Sequence, residues 1–389
     1  MIGDSLSSDI TYGEDQRLSV GQKLLRLHWP VIIVICALAG IGVAALYSVA
    51  DGSLQPWGDR HIGRFVALLG LVFLISVIPR EIWLGIAYPA YLASLLLLVA
   101  VLFIGAEAGG AKRWINLGGL TLQPSEFMKI TLMLALARYY QWLPKRLVSH
   151  PLALVVPCAL VGAPVALTLL QPDLGTAMIF ALVGAAILFL AGVSVFYYLA
   201  GMGGIALAFP YIWASLHDYQ RKRVEVFLNP ETDPLGAGYH IAQSKIALGS
   251  GGLSGRGYLQ GSQAQLDFLP EKHTDFIFTT IAEEWGFIGS AVILVLFAVL
   301  IVLLTIMAMR CVNQFARLMI MGTALIVFFY VVINIAMVTG LIPVVGVPLP
   351  LISYGGTAMT TIMIGIGLAM SAYVQRGQPM NRRQLGALW

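Results

Sequence analysis

The residues best suited to chemistry lie in one stretch, LPEKHTDFIFTTIAEEWG, which runs from Leu269 to Gly286. Only 11% of the 389 residues are charged, yet this stretch is rich in titratable side chains. They are Glu271, His273, Asp275, Glu283 and Glu284. Apolar residues directly after Asp275 would hold its carboxylate at a boundary between water and a membrane, and partial desolvation makes a carboxylate a better base. Asp275 is therefore the candidate general base of a reaction.

Glu283 follows Asp275 by about two helical turns, so on a helix it falls near the same face. We expect Glu283, with Glu284, to support Asp275 in a buried polar network. Glu271 and Lys272 are interpreted as loop residues.

The composition predicts an integral membrane protein with several spanning helices. Hydrophobic residues make up 59% of the chain, and a soluble domain with so few charges would expose large apolar patches. The net charge of +4 is small, and we expect no nucleic-acid partner. Cys36, Cys158 and Cys311 lie in or beside apolar runs, so we interpret them as small buried residues and not as a disulfide or metal site.

Ten apolar runs are long enough to cross a bilayer as helices, which takes about 17–25 residues each. They lie near 30–50, 63–79, 82–105, 125–142, 151–170, 174–191, 194–216, 276–309, 315–340 and 354–375. The eighth run is too long for one straight crossing, so we expect it to start outside the hydrocarbon or to be tilted.

These runs divide the chain into three parts. Residues 1–29 form a polar tail without an evident cleavable signal peptide, and its start is predicted to be disordered. Residues 30–376 form an all-α membrane domain of ten spans, with one large outer loop at about 217–275. Residues 377–389 form a second tail.

Lysine and arginine in the short loops predict the orientation. If the N-terminus is cytoplasmic, the inner side carries most of these residues. The short outer loops then carry only Arg60, Arg64, Lys112 and Arg113. Both tails are therefore predicted to be cytoplasmic, and the long loop to lie outside.

In this orientation every second span begins at the outer face. Three of these spans begin with sequences that favour helix starts, at Gln123-Pro124, Gln171-Pro172-Asp173 and Pro350–Ser353. The positive ends of several helices would then converge on a surface suited to an anion such as phosphate. The need of any multi-span protein to start half its helices there explains the pattern equally well.

Two groups of polar residues lie at membrane depth near this face. Glu126 and Lys129 are one helical turn apart and can pair, either as a structural lock for the fourth span or as part of an outward-facing polar cavity. Lys112 and Arg113 are candidates for binding a pyrophosphate, and Arg113 also fits an interfacial anchor. Asp173 is interpreted mainly as the N-cap of the sixth span, and with Gln171 as a weaker candidate for substrate binding.

The outer loop and the last span add further candidates. Arg221, Arg223 and Arg256 are cations that could bind a pyrophosphate. The segment GSGGLSGRG, from Gly249 to Gly257, offers backbone N–H groups that can approach a ligand closely, but it lacks the Gly-Lys-Ser/Thr ending of a P-loop. Before the tenth span, Ser353 and Tyr354 lie in a glycine- and proline-rich turn that can line a cavity.

Together these motifs resemble the SEDS family (shape, elongation, division and sporulation) of bacterial peptidoglycan glycosyltransferases. The resemblance covers nearly the whole chain and rests on GAKRWINLGG, LQPSEFMK, LQPDLGTA, GSGGLSGRG, LDFLPEKHTDFIF, AEEWGFIG and PLPLISYGGTAM. The LDFLPEKHTDFIF and SYGGTAM forms are more like the elongation branch than the division branch. One departure is Trp285, where the family commonly has a small aliphatic residue, and we expect it to affect packing only.

The resemblance implies a polymerase of the bacterial cytoplasmic membrane that joins lipid II units into glycan strands on the extracytoplasmic side. The family's essential aspartate matches Asp275, and its membrane glutamate and lysine match Glu126 and Lys129. The expected partners are lipid II and the growing strand, a class B penicillin-binding protein that crosslinks the product, and other membrane proteins of the elongation complex.

Such a reaction inverts the anomeric carbon, because an α-linked donor gives a β-1,4 glycan. It needs a base for the acceptor hydroxyl and positive groups for the departing pyrophosphate. No cofactor is certain, and a divalent cation (Mg²⁺ or Mn²⁺) could share the second task, although no His/Cys/Asp cluster predicts a dedicated metal cage.

Three other interpretations remain open: a lipid II flippase, the division-type paralogue and a structural scaffold. A flippase would need charged groups through the whole membrane thickness and often has an inverted repeat, and the sequence shows neither. The buried charges argue against a scaffold.

Overall fold

The computed structural model describes residues 19–108, 111–117, 120–215, 218–229, 237–261 and 271–378. The predicted disordered start of the chain and nearly all of the tail over 377–389 lie outside these ranges. The described helices are α1 Val20–Leu25, α2 Trp29–Val49, α3 Gly58–Val77, α4 Arg80–Ile104, α5 Pro124–Trp142, α6 Pro151–Leu170, α7 Leu174–Ala191, α8 Val195–Ser215, α9 Asp218–Leu228, α10 Ala237–Ser250, α11 Ile277–Met309, α12 Gln314–Val338 and α13 Gly356–Val374.

Each of the ten predicted apolar runs coincides with one of the long helices, α2 to α8 and α11 to α13. Eight of these are long and apolar enough to cross a membrane. The other two are α5, whose hydropathy is reduced by Glu126, Lys129 and Arg138, and α8, whose apolar part is shorter. Of the eight, α13 is the most enclosed, and it packs against α3, α12 and α5.

A small antiparallel sheet joins α4 to α5, where an all-α fold was expected. Its strands are β1 Ala106–Ala108, β2 Ala111–Leu117 and β3 Leu120–Leu122, in the order β1-β2-β3. These strands are too short to produce a recognisable alternating pattern, since helix and strand cannot be told apart in such short runs.

The predicted helix starts are confirmed at two of three places. Pro124 begins α5, and the carboxylate of Asp173 caps α7 by accepting the Thr176 N–H at 3.2 Å and the Thr176 hydroxyl at 2.8 Å. At the third place the expected start is wrong, because α13 begins only at Gly356. Ser353 instead closes the preceding turn, where its hydroxyl accepts the backbone N–H of Leu349 at 2.8 Å.

The long helix α11 accommodates its excess length with a break. Gly286 has φ 66° and ψ −161°, which interrupts the helix after its first turns. The segment from Gly251 to Gly257, called the glycine strap below, lies across this break. Its Arg256 and Gly257 N–H groups donate to the Glu283 and Glu284 carbonyls at 3.0 and 3.1 Å.

The glycine strap therefore uses these two backbone N–H groups within the protein, which corrects the idea that the segment presents them to a ligand. On the other side of the break, the N–H groups of Phe287 and Ile288 donate to strap carbonyls. The strap needs glycine because a Cβ at Gly251 or Gly255 would overlap the backbone of α11. Trp285 packs beside this strap, with its ring 6.4 Å from that of Tyr258.

Basic side chains gather at the end of the bundle that the sequence assigns to the cytoplasm. Lys23 donates to Val77 O at 2.7 Å, and Arg80 donates to the carbonyls of Gln375 and Gln378. Arg138 donates to the carbonyls of Leu84 and Gly85. Lys23 and Arg80 thus lie at the C-terminal ends of α3 and α13, where the last carbonyls carry partial negative charge. Arg138 lies near the start of α4, where Pro89 has no N–H to bond the Gly85 carbonyl.

All three cysteines are free thiols, and only Cys311 is buried. The interpretation of Cys36 and Cys158 as buried residues is wrong, because both lie on exposed faces of apolar helices.

Candidate functional site

A cavity of about 260 Å³ lies where the N-terminal ends of several helices meet. Gln123 and Glu126 reach it from α5, Asp173 and Thr176 from α7, and Thr357 from α13. The cavity is also lined by Arg113, Trp114, Lys129, Ile179, Thr274, Asp275, Tyr330, Gly346, Val347, Pro348, Tyr354, Gly355 and Ala358. The predicted convergence of helix N-termini is therefore present. Positive helix ends that share one cavity favour an anion inside it.

Asp275 lies at the cavity wall, directly before the N-cap residue Phe276 of α11. It is only partly exposed. Its backbone carbonyl accepts a hydrogen bond of 2.8 Å from the side chain of Asn334. The carboxylate lies beside Gly346, where an added Cβ would be 3.3 Å from Asp275 Oδ2. The structure thus places the predicted base at the cavity surface, and the hydrogen bond from Asn334 fixes its backbone.

Glu126 and Lys129 form the predicted pair, with 2.6 Å between Lys129 Nζ and Glu126 Oε1. Both side chains are almost fully buried. The other oxygen of Glu126 accepts the hydroxyl groups of Tyr330 at 2.6 Å and Thr361 at 2.8 Å, and Lys129 also contacts the Tyr330 hydroxyl. A buried charge pair is tolerated when hydrogen bonds satisfy its remaining groups, so these two hydroxyls complete the pair. Since Glu126, Lys129 and Tyr330 also line the cavity, the structural and cavity roles coincide.

Arg113 extends into the same cavity from β2. Its Nη2 donates to Pro172 O at 2.7 Å, and its Nε lies 3.6 Å from Asp173 Oδ2. That separation makes an ion pair but is too long for a hydrogen bond. Among the described residues Nε has no hydrogen-bond partner, although it is buried. Arg113 is therefore tied to the α6–α7 connection, and its guanidinium brings positive charge to the cavity lining.

Several predicted site residues lie away from the cavity lining. Ser353 is buried in the turn described above. Gln171 donates from Nε2 to Leu98 O at 2.8 Å, which ties the α6–α7 connection to α4. Glu283 is fully buried, and its Oε1 lies 3.6 Å from Arg256 Nη1 beneath the glycine strap. Glu283 and Arg256 thus belong to the strap and not to the cavity.

The other predicted cations fall into two groups. Arg221 donates to the carbonyls of Trp213 and Ala214, at the end of α8. Lys112 and Arg223 lie in β2 and α9, but their side chains are outside the described part of the structure.

Sequence reasoning missed three polar residues around the site: Tyr330, Asn334 and Thr361. Tyr330 and Asn334 are four residues apart in α12, so they share a helix face. Two polar groups at that spacing in an apolar run were the signal that could have identified them.

His273 lies beside the cavity, two residues before Asp275. Its ring stacks on Trp57, with 4.6 Å between the centroids, and lies near Tyr354. Burial lowers the pKa of His273 below its usual value; Glu271 opposes this effect and Lys272 adds to it. The ring is therefore mainly neutral near pH 7, which leaves Arg113 and Lys129 as the cationic side chains of the cavity lining.

The structure offers no preformed metal cage within its described residues, where no group of three or more His, Cys, Asp or Glu could hold an ion. The two aspartates of the cavity differ in their surroundings. Asp173 lies at the start of α7 beside Thr176 and Arg113, and the Asp275 carboxylate lies beside Gly346.

The fold and site define a helical membrane protein with a polar, charged cavity at the helix N-termini. Its residues 26–378 match the FTSW_RODA_SPOVE family, described as "Cell cycle protein", and the chain belongs to this family. This membership confirms the resemblance based on the motifs.

The chain is similar to named relatives over most of its length. It is 44% identical to the peptidoglycan glycosyltransferase MrdB of Escherichia coli K12, covering 89% of this chain and 93% of the relative. It is 36% identical to the probable peptidoglycan glycosyltransferase FtsW of Trichlorobacter lovleyi, covering 90% and 93%.

Solved structures show the same fold. A chain from a peptidoglycan synthase complex, studied for the coordination of polymerization and crosslinking, superposes with a TM-score of 0.77 at 34% identity, over 91% of this chain and 99% of that one. The rod shape determining protein RodA of Thermus thermophilus superposes with a TM-score of 0.69 at 30% identity. The match covers 91% of this chain and 98% of RodA.

Proposed function

We propose that this protein is a peptidoglycan glycosyltransferase that polymerises lipid II into β-1,4 glycan strands for cell elongation. The observation that carries the proposal is the position of Asp275, whose carboxylate faces a cavity formed by helix N-termini, Arg113 and the Glu126–Lys129 pair. The higher identity to MrdB than to FtsW supports the elongation type over the division type.

The chemistry is a single displacement that inverts the anomeric carbon. Asp275 accepts the proton of the acceptor's 4-hydroxyl while that oxygen forms a bond to C1 of the donor sugar. The bond from C1 to the lipid pyrophosphate breaks, and the electron pair leaves with the pyrophosphate. A positioned general base contributes about 10²- to 10⁴-fold to such a rate.

The departing pyrophosphate is stabilised by Arg113 and by the positive ends of the helices around the cavity. Fixed donors and dipoles at the place where charge develops are effective because they need no reorganisation during the reaction. If a divalent cation, Mg²⁺ or Mn²⁺, shares this task, Asp275 would help to hold it, and the ion would supply positive charge to the leaving group. Activity that is lost in EDTA and returns with added Mg²⁺ or Mn²⁺ would favour the ion.

We further propose that α2 to α8 and α11 to α13 all span the bacterial cytoplasmic membrane, with both termini in the cytoplasm. The cavity then opens to the extracytoplasmic side, where the growing strand is extended. The basic residues at the opposite end of the bundle support this orientation, since positive charges concentrate on the cytoplasmic side.

A polymerase needs a partner that crosslinks its strands, and we propose a class B penicillin-binding protein for this role. The support is the similarity to a chain of a complex that coordinates polymerization and crosslinking. Other membrane proteins of the elongation complex are expected beside it.

The test is strand synthesis from lipid II by the purified protein in detergent, where movement across a bilayer contributes nothing. The wild type should make long polymers, and Asp275→Asn should lose about 10²- to 10⁴-fold in rate with an unchanged melting temperature. A flippase or a scaffold would make no polymer in this assay. Normal synthesis by Asp275→Asn would remove the aspartate from the role of base.

A further inference from the structure

The side chain of Asn334 joins two loops at the floor of the cavity. Asn334 lies in α12 and is fully buried. Its Nδ2 donates one hydrogen bond to Asp275 O and a second to Val347 O, each at 2.8 Å. One loop leads into α11 and the other leads towards α13, so a single amide fixes them relative to each other.

Both of these contacts affect the surroundings of the Asp275 carboxylate. The first fixes the backbone of Asp275 itself. The second fixes Val347, whose neighbour Gly346 has φ +71° and forms the surface against which Asp275 Oδ2 lies. Asn334 therefore holds both the backbone that carries the carboxylate and the loop that forms the wall beside it.

Only one orientation of the Asn334 amide is compatible with its neighbours. In the reverse orientation Oδ1 would face two carbonyl oxygens, which also carry negative partial charge. In the observed one, Oδ1 is buried without a hydrogen-bond partner among the described residues. An unpaired buried acceptor is unfavourable, so the two donated hydrogen bonds, and not packing, account for an amide at this position.

We propose that Asn334 is a positioning residue for Asp275, a role that rests on the proposed function of Asp275 as the base. Asn334 does not line the cavity, so it acts through the two loops and not by contact with substrate. A misplacement of about 1 Å can cost about 10²-fold in rate. Loss of the Asn334 contacts should therefore lower kcat and not raise KM, because the cavity surface that binds substrate keeps its composition.

The main experiment compares Asn334→Leu with the wild type in lipid II polymerisation by purified protein. Leucine has a similar volume but no donor. We expect kcat to fall by about 10²-fold with little change in KM. Asn334→Asp is isosteric but lacks the two amide donors, so its kcat should fall as that of Asn334→Leu does. Gly346→Ala, which keeps Asn334 and alters the wall, should also lower kcat.

Asn313→Ala is the matched control for simple destabilisation. Asn313 caps the other end of α12 by accepting the Ala316 N–H at 2.7 Å. Loss of such a cap destabilises the helix, but it leaves the cavity loops untouched. The control should lower the melting temperature and keep kcat. A wild-type kcat in Asn334→Leu would overturn the proposal, and so would a fall in kcat that Asn313→Ala reproduces.

Hydrogen–deuterium exchange gives a readout that does not depend on activity, since exchange reports local opening. Asn334→Leu should increase exchange in residues 271–276 and 344–348, whereas Asn313→Ala should not. If the wild type fails to polymerise lipid II but this exchange pattern appears, the proposed function is wrong and the anchoring by Asn334 stands. Unchanged exchange in both loops would overturn the anchoring itself.

Discussion

At the scale of single residues, the buried pair of Glu126 and Lys129 is the best-defined feature of the site. Its hydroxyl partners Tyr330 and Thr361 come from α12 and α13, so the pair also ties three helices together. Removing one partner of a buried ion pair leaves an uncompensated charge, which typically costs about 3–5 kcal/mol. Removing both charges avoids that penalty.

We therefore predict strong coupling in a double-mutant cycle of Glu126→Gln and Lys129→Met. Each single variant should be less stable than the wild type, and the double variant should be more stable than the sum of the two losses implies. The coupling free energy should be about 0.5–3 kcal/mol, measured from unfolding of the purified protein in detergent. Additive losses would show that the 2.6 Å contact does not contribute as a pair.

The residues of the site differ in how far the sequence could predict them. Asp275, Arg113, Glu126 and Lys129 were identifiable because a charged residue at membrane depth is rare and needs a reason. The role of Asn334 was not, because its spacing from Tyr330 marks only a shared helix face, and its two backbone partners lie in separate loops. Glu283 was placed near Asp275 by helical periodicity, but the strap holds it elsewhere.

At the scale of elements, hydropathy predicted the position of every long helix among the described residues, because the apolar runs are long and even α5 carries few charges. The break at Gly286 and the strap across it depend on contacts between separate segments, and no local pattern encodes them. The glycines of the strap were visible in the sequence. The reason for these glycines was not visible, because a ligand-binding loop and a close backbone contact both require glycine.

The glycine strap is predicted to stabilise α11 through close approach. Gly255→Ala places a Cβ onto the Glu284 carbonyl and also strains a residue with φ +82°. A left-handed conformation alone costs a non-glycine residue about 1–3 kcal/mol, and the overlap adds to that. We expect a large drop in melting temperature and disruption of the hydrogen bonds from Arg256 and Gly257.

Gly252→Ala is the control, because Gly252 also has a positive φ of +54° but open space around its Cα. Gly252→Ala should lower the melting temperature only by the part that comes from backbone strain. If Gly252→Ala and Gly255→Ala reduce the melting temperature equally, close approach to α11 has no role in the strap.

At the scale of the whole molecule, the two ends of the bundle differ in chemistry. One end collects helix N-termini, carboxylates and the cavity, while the other collects arginines on helix carbonyls. The proposed reaction needs this asymmetry, because its lipid-linked donor and its product are both on the extracytoplasmic side. Orientation in the membrane is therefore part of the mechanism and can be tested separately from catalysis.

We predict that Ser254→Cys in the glycine strap is accessible from outside the cell and Leu147→Cys, between α5 and α6, is not. Both side chains are exposed. Each cysteine is introduced where Cys36, Cys158 and Cys311 are replaced by alanine, and intact spheroplasts are treated with a membrane-impermeant maleimide. Ser254→Cys should be labelled at once, and Leu147→Cys only after lysis. The reverse pattern would place the cavity in the cytoplasm, where a strand of cell wall cannot be extended.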